Sequence, residues 1–221
     1  MLEAMMDAGL TETVLKKQDT VAASILLADA FHDNPAHTYI FPDDQQRREQ
    51  LIWLMRANLN AQLKLGQSFA KKSVDGSIAA MGFWHPPGAP QANTFQLFRF
   101  GFFSMPLRYG MSAFKRMLHA VEEIEVRRAR ALNGRKSWYL NNMVISPDLR
   151  GLGLGGETLR HQLDTRVRPS GHFASLTTQK IENVSFYRAL GFEVADDSPI
   201  TDGEQEFQNW VMIFDDKPSA A

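Results

Sequence analysis

The 221-residue chain is 44% hydrophobic and 22% charged, carries a formal net charge of -1 and contains no cysteine, the profile of a globular chain with one sizeable core or two small ones. A near-neutral balance offers no basic excess for nucleic acid and no acidic tail. Lack of cysteine excludes disulfides, zinc–thiolate sites and cysteine nucleophiles, and fits a reducing compartment.

The first residues, MLEAMMDAGLTETVLKK, show no basic region followed by an apolar run, so no secretory signal is expected. No stretch reaches the ~18 uninterrupted apolar residues of a membrane span. The expectation is a soluble, cytoplasmic α/β protein with no nucleic acid, membrane or metal among its partners. Along the chain, residues 12–17 read as a short first strand. Asp19 is suited to cap a helix in which Val21, Ile25, Leu26 and Phe31 recur at helical spacing up to Asn34-Pro35. Asp43 or Asp44 caps a second helix with the apolar stripe Leu51, Leu54, Met55, Leu59 and Leu63, ended by Gly66.

Residues 67–72 and 77–84 read as strands joined at Asp75-Gly76, a hairpin dipeptide, and His85-Pro86-Pro87-Gly88 ends the second. Phe95, Phe98, Phe100, Phe102, Phe103 and Phe114 crowd the next stretch, whose later part, residues 113–131, reads as a helix with Met117, Val121 and Ile124 on one face. Residues 137–146 form a strand. Residues 151–168 are helical after a run of glycines, with Leu159 and Leu163 one turn apart. Residues 172–179 form a strand, and 182–190 a short helix stopped by Gly191. Residues 192–194 and 207–214 supply two more strands; the last, if exposed, could pair across a dimer or be internal. With no repeat or linker, this order predicts one α/β domain spanning residues 1–221.

The stretch SPDLRGLGLGGETLR, from Ser146 to Arg160, admits two readings. Gly151, Gly153 and Gly156 spell G-x-G-x-x-G, a dinucleotide fingerprint, while Arg150, Gly153 and Gly155 spell R-x-x-G-x-G. The first needs its strand to run almost directly into the first glycine, and a carboxylate about 20 residues on. Here Pro147-Asp148-Leu149-Arg150 intervenes, and the next strand ends in Thr177-Thr178-Gln179. A phosphate-binding P-loop fails for want of Gly-Lys-Ser/Thr. The second reading fits: glycines free backbone amides to close around phosphate oxygens, the following helix presents its positive N-terminus, and Arg150 adds a charge at the rim.

SPDLRGLGLGGETL resembles the coenzyme-A-binding motif of the GNAT acetyltransferase superfamily, and KIENVSFYRALGFEV resembles that superfamily's next motif, N-x-x-x-Y-x-x-x-G-F. The chain is further similar to the puromycin N-acetyltransferase-like branch, through ADAFHDNPAHTYIFPDD, the long helix after it and the strand AAMGFWHPP. The resemblance implies the GNAT acyl-CoA N-acyltransferase fold: a mixed central sheet of about six or seven strands, flanked by helices and splayed at the cofactor-binding strand. A substrate-side half (about 10–131) would precede a coenzyme-A-binding core (about 137–216). It implies direct transfer of acetyl from acetyl-CoA to the primary amine of a small molecule, by a monomer or homodimer. The backbone of Met143, Val144 and Ile145 would pair with the pantetheine arm. Arg150, Gly151, Leu152, Gly153, Leu154, Gly155 and Gly156 would hold the pyrophosphate. Asn183 would contact the cofactor, and Tyr187, near the acetyl sulfur, would be the catalytic acid.

Relatives often carry a glutamate where this chain has Thr177, and threonine is no base near neutral pH. His32, Asp33, His85, Asn141 and Asn142 are further candidate pocket groups, and the phenylalanine-rich stretch would suit an apolar or aromatic amine. Two other functions stay open at this stage: a non-catalytic acyl-CoA-binding protein, and a peptide or protein N-acetyltransferase.

Overall fold

The computed structural model describes residues 9–89 and 102–216. Phe95, Phe98, Phe100 and the side chain of Phe103 lie outside the described residues. Seven strands form one mixed sheet in the order β1-β2-β3-β4-β5-β9-β6, with ranges β1 Thr11–Thr13, β2 Gln67–Lys72, β3 Ile78–His85, β4 Trp138–Ile145, β5 Ala174–Thr178, β6 Glu193–Asp196 and β9 Trp210–Phe214. Neighbours are antiparallel except β4 and β5, which run parallel. A separate two-stranded ribbon joins β7 (Ile200–Thr201) to β8 (Glu206–Phe207). The expected strand 207–214 is therefore two pieces, and β9 is internal, between β5 and β6, because its Val211, Met212 and Phe214 bury completely or nearly so.

The N-terminal helices are α1 (Thr20–Phe31), α2 (Pro35–Ile40) and α3 (Asp44–Leu65). Two sequence expectations fail in α1. The Asp19 carboxylate does not cap the helix; it accepts the Lys16 amide at 2.8 Å and the Lys72 ammonium at 2.6 Å, so the charge pair outcompetes the cap. The buried face is Thr20, Ala23, Ser24, Leu27 and Ala28, while Val21 and Ile25 are exposed, because small residues let α1 lie close along α3. The Asn34-Pro35 break starts a helix rather than a loop: the Asn34 side chain accepts the Ala36 amide at 3.0 Å and Pro35 takes the first turn of α2. In α3, Asp43 caps as expected, accepting the Gln45 and Gln46 amides, and Leu51, Leu54, Met55 and Leu59 are buried.

Helix α4 (Met105–Leu132) starts earlier than its sequence pattern suggests and is interrupted at Gly110, whose φ of 84° and ψ of 159° break the helical path. The helix after the glycines, α5 (Leu154–Gln162), gives way to a π-helical turn at Leu163–Val167, with Leu159 and Leu163 both buried beneath it. The last helix is α6 (Ile181–Arg188). Two packed cores result. One joins α1–α4 to β2, β3 and β4 around Leu27, Leu51, Met55 and Phe83; the other lies under α5 and α6 around Trp84, Trp138, Leu159 and Phe192.

Candidate active site

Strand β4 is where the sheet opens. Only Trp138, Tyr139 and Leu140 pair with β5, opposite Ala174, Ser175 and Leu176, and the ladder with β5 stops there. From Asn141 to Ile145 the same edge of β4 has no strand beside it among the described residues, although its other edge stays paired to β3 through Ile145. A bulge accompanies the divergence: Met81 faces Val144 and Phe83 faces Asn141, leaving Gly82 alone against Asn142 and Met143. Asn142 takes a left-handed φ of 53°, a conformation that asparagine tolerates better than most residues. Such a bulge bends and twists its strand. Gly82 is needed opposite it, since a Cβ there would sit 2.5 Å from Phe69 Cζ and 3.3 Å from Met143 Cα.

At the end of β4 the chain turns through Pro147–Leu149 and the glycine loop. Gly151 and Gly153 have φ of 76° and 85°, and Gly153 stands directly before the first turn of α5. Within that turn the Glu157 amide bonds back to the Gly153 carbonyl, leaving the amides ahead of it without helical acceptors. Leu152 is exposed, whereas Leu154 is buried against Ala79 and Ala80 and has only backbone to offer. The Arg150 side chain is exposed, its Nε donating to the Ile145 carbonyl at 3.3 Å. A Cβ on Gly155 would lie 3.3 Å from Ile145 and 3.5 Å from Phe186, so this glycine sets how closely α5 approaches β4 and α6.

The other end of the opening leads into a cavity of about 670 Å3 between the sheet and helices α2–α4. Phe31, Ile40, Met55, Phe114, Met117 and Ile124 give it an apolar wall. Asn141, Asn142, Met143, Asn183 and Tyr187 border it from the strand and α6, so the structure brings these sequence candidates together with His85. The glycine loop lies outside its wall. His32 and Asp33 do not join: they pair with each other at 3.1 Å near the surface.

The polar groups in the wall are arranged around Tyr139. Its hydroxyl lies 3.1 Å from Thr177 Oγ1, and the Arg128 guanidinium stacks over its ring at 4.4 Å. Arg128 also holds Glu125, the one carboxylate in the wall among the described residues, at 2.6 Å. His85 faces Tyr139 across β3 and β4, with ring centres 6.2 Å apart. Its Nε2 lies 2.6 Å from Gln62 Oε1. Asn183 donates its side-chain N–H to Thr178 Oγ1 at 3.0 Å, which leaves its amide oxygen for another partner. Tyr187 packs against Phe186 and Phe192. Burial, and then the neighbouring Tyr139, push the Tyr187 phenol well above the ordinary tyrosine range. Burial likewise raises Tyr139 and lowers His85, and drives His37 down to about 4. Asn34, Gln179 and Asn209 form a chain of side-chain amides (3.2 and 2.8 Å) that ties the start of α2 to the end of β5.

Sequence reasoning missed Gln62, Glu125, Arg128 and Tyr139. Glu125 and Arg128 resemble any surface i,i+3 pair, and Tyr139 any strand residue; only the fold puts them in one wall.

No family model matches the chain. Solved structures do. A Corynebacterium glutamicum protein described as histone acetyltransferase HPA2 and related acetyltransferase superposes with a TM-score of 0.60 at 16% identity, over 96% of this chain and 99% of that one. Arylalkylamine N-acetyltransferase 2 of Aedes aegypti gives 0.60 at 12% identity, over 93% and 99%. A putative acetyltransferase of Salmonella typhimurium, solved with acetyl-CoA, gives 0.52 at 15%, over 96% and 97%. The chain thus has the GNAT acetyltransferase fold that its two motifs resemble.

Proposed function

We propose that the chain is an acetyl-CoA-dependent N-acetyltransferase acting on the primary amine of a small, largely apolar molecule. The observation that carries this reading is the run of three features along β4: a side-chain cavity at one end, an unpaired strand edge in the middle, and a backbone cradle at the other. An extended cofactor arm with a pyrophosphate at one end and a reactive thioester at the other matches that order.

In this reading the pantetheine arm pairs with the backbone of Met143, Val144 and Ile145 as an added strand. The pyrophosphate rests on amides between Arg150 and Gly156, where the dipole of α5 favours negative charge. The free oxygen of Asn183 receives an N–H of the cofactor. The acceptor nitrogen attacks the thioester carbon, the C–S bond breaks, and the thiolate takes the proton of the Tyr187 hydroxyl. Burial that keeps Tyr187 protonated raises the pKa of a thiol beside it as well, so donor and acceptor move together. The apolar wall suits an alkyl or arylalkyl body, and with Glu125 engaged by Arg128 its described residues offer no other carboxylate to a second cationic centre.

Calorimetric titration with acetyl-CoA, beside NADH and with the double substitution Gly153→Glu/Gly155→Glu, tests the cofactor half. Micromolar acetyl-CoA binding that the carboxylates abolish is expected; no binding, or preference for NADH, refutes it. Turnover of 2-phenylethylamine, with spermidine at least tenfold poorer in kcat/KM, is expected for the acceptor half; turnover of neither would favour a non-catalytic acyl-CoA-binding protein.

A further inference from the structure

We infer that His85 takes the proton of the acceptor ammonium, presented for that task by Gln62; this rests on the acetyltransferase reading. A primary alkylamine resembles the lysine side chain, with a pKa of about 10.4, and enters as an ammonium that must lose a proton before it can attack. Thr177 cannot take it. Tyr139 is a buried phenol bonded to Thr177, and Glu125 is engaged by Arg128. His37 lines the same cavity, but its Nδ1 is sealed inside the protein with no partner among the described residues, and its ring packs tilted against Phe31 at 5.5 Å.

His85 differs because its orientation is determined. Gln62 on α3 donates from Nε2 to Asn58 Oδ1 at 3.1 Å, and this fixes which end of the amide is oxygen. That oxygen lies 2.6 Å from His85 Nε2. An amide oxygen only accepts, so the imidazole carries its proton on Nε2. The Nδ1 lone pair has no partner among the described residues. Among the described residues, Arg128 and Glu125 from α4 and Tyr139 from β4 are the charged and titratable groups facing the ring. Burial first, then Arg128, hold the imidazole below its ordinary range, which leaves it neutral and ready to accept at pH 7.

The protons balance. One leaves the ammonium for Nδ1, giving an imidazolium held at Nε2 by Gln62 and opposed to Glu125, and later goes to water. Tyr187 protonates the departing sulfur. The second proton released from nitrogen as the amide forms restores Tyr187.

The test combines two variants with a readout independent of turnover. With 2-phenylethylamine, wild-type kcat/KM should hold level on the neutral side and fall only below the ordinary histidine range. His85→Gln should lose ~100-fold at pH 7. It should then regain rate by about tenfold per pH unit toward the amine's own pKa, because only the free amine reacts. Gln62→Glu should move the acidic limb to higher pH, since a carboxylate at Nε2 favours the imidazolium. Both should bind acetyl-CoA as the wild type does, which shows that they fold. Nitrogen NMR of the wild type should find the proton on Nε2. A proton on Nδ1, an unchanged rate in His85→Gln, or an equal loss at every pH would overturn the assignment. A wild type that binds acetyl-CoA but acetylates no amine would remove the underlying reading instead, and the wild type alone reveals that case.

Discussion

Gly82→Ala offers a sharp test of how the sheet is opened. Gly82 sits opposite Phe69 on β2 and opposite the bulge on β4. The added methyl carbon would fall 2.5 and 2.8 Å from the Phe69 ring and 3.3 Å from Met143 Cα. Phe69 is 3% exposed and packed among Trp84, Leu159 and Leu163, so it cannot simply swing away. Overpacking of this kind costs about 1–3 kcal/mol. The close contacts place this case in the upper part of that range, and the entropy that alanine removes from the unfolded chain returns about 0.4–1 kcal/mol. A net loss of ~2 kcal/mol lowers Tm by about 4–8 °C for a chain of this length. Thermal unfolding should be read for Gly82→Ala, for Phe69→Leu and for the double variant. Trimming the ring removes the worst contact, so the double variant should be more stable than additivity predicts by about 1–2 kcal/mol, within the range of coupled neighbours. Acetyl-CoA affinity should fall in Gly82→Ala, because the remaining contact pushes on the backbone of Met143. An unchanged Tm, or strict additivity, would refute the contact as the reason for glycine.

Three further outcomes are expected. Tyr187→Phe should lower kcat with 2-phenylethylamine ~100-fold while leaving the acetyl-CoA KM within about twofold, because only the proton donor is lost; steady-state kinetics decide, and a drop confined to KM would contradict the acid role. Asn34→Ala removes the α2 cap and takes away the N–H that the Gln179 side-chain oxygen accepts, while the Gln179 bond to Asn209 stays, and urea unfolding should show a loss of about 1–3 kcal/mol. Asp202 is held down to about 2 by the amides of Gln205 and Glu204 and by the Tyr39 hydroxyl, which donates to it at 2.7 Å. A depressed carboxylate stabilises the fold above its unfolded pKa and loses that contribution as pH falls through the folded one. The stability difference between wild type and Tyr39→Phe should therefore be level above about pH 5 and shrink between pH 4 and 2; a difference that grew on acidification would overturn that assignment.

Much of the sheet was legible because its signals are local. The Asp75-Gly76 hairpin and the Asp43 cap follow from backbone preferences that act over a few residues. The failures share a cause. Val21 and Ile25 have the right spacing for a core face, but α3 lies along the small-residue side of α1, a choice that no single helix reveals. Asp19 has the chemistry of a cap, but Lys72 reaches it from β2. The sequence reading takes 207 to 214 as one strand, yet Asn209 is fully buried with its side chain bonded to Gln179, and the chain changes sheets there.

The same distinction runs through the candidate site. A ligand held by backbone amides leaves its mark as glycine, proline and strand–loop–helix order within one stretch of chain, and Arg150 to Gly156 carry that mark plainly. A pocket made of side chains leaves none, because its parts are remote in sequence: Gln62 reaches His85 from α3, and Arg128 reaches Tyr139 from α4. The junction is the Asn141-Asn142 pair, where β4 stops serving β5 and its edge becomes free. In the proposed reaction this division assigns the invariant part of the chemistry, the cofactor, to backbone, and the variable part, the amine, to side chains. Acceptor specificity should therefore be alterable in α3 and α4 without loss of acetyl-CoA binding, whereas changes at Gly82 or in the glycine loop should weaken the cofactor for every acceptor alike.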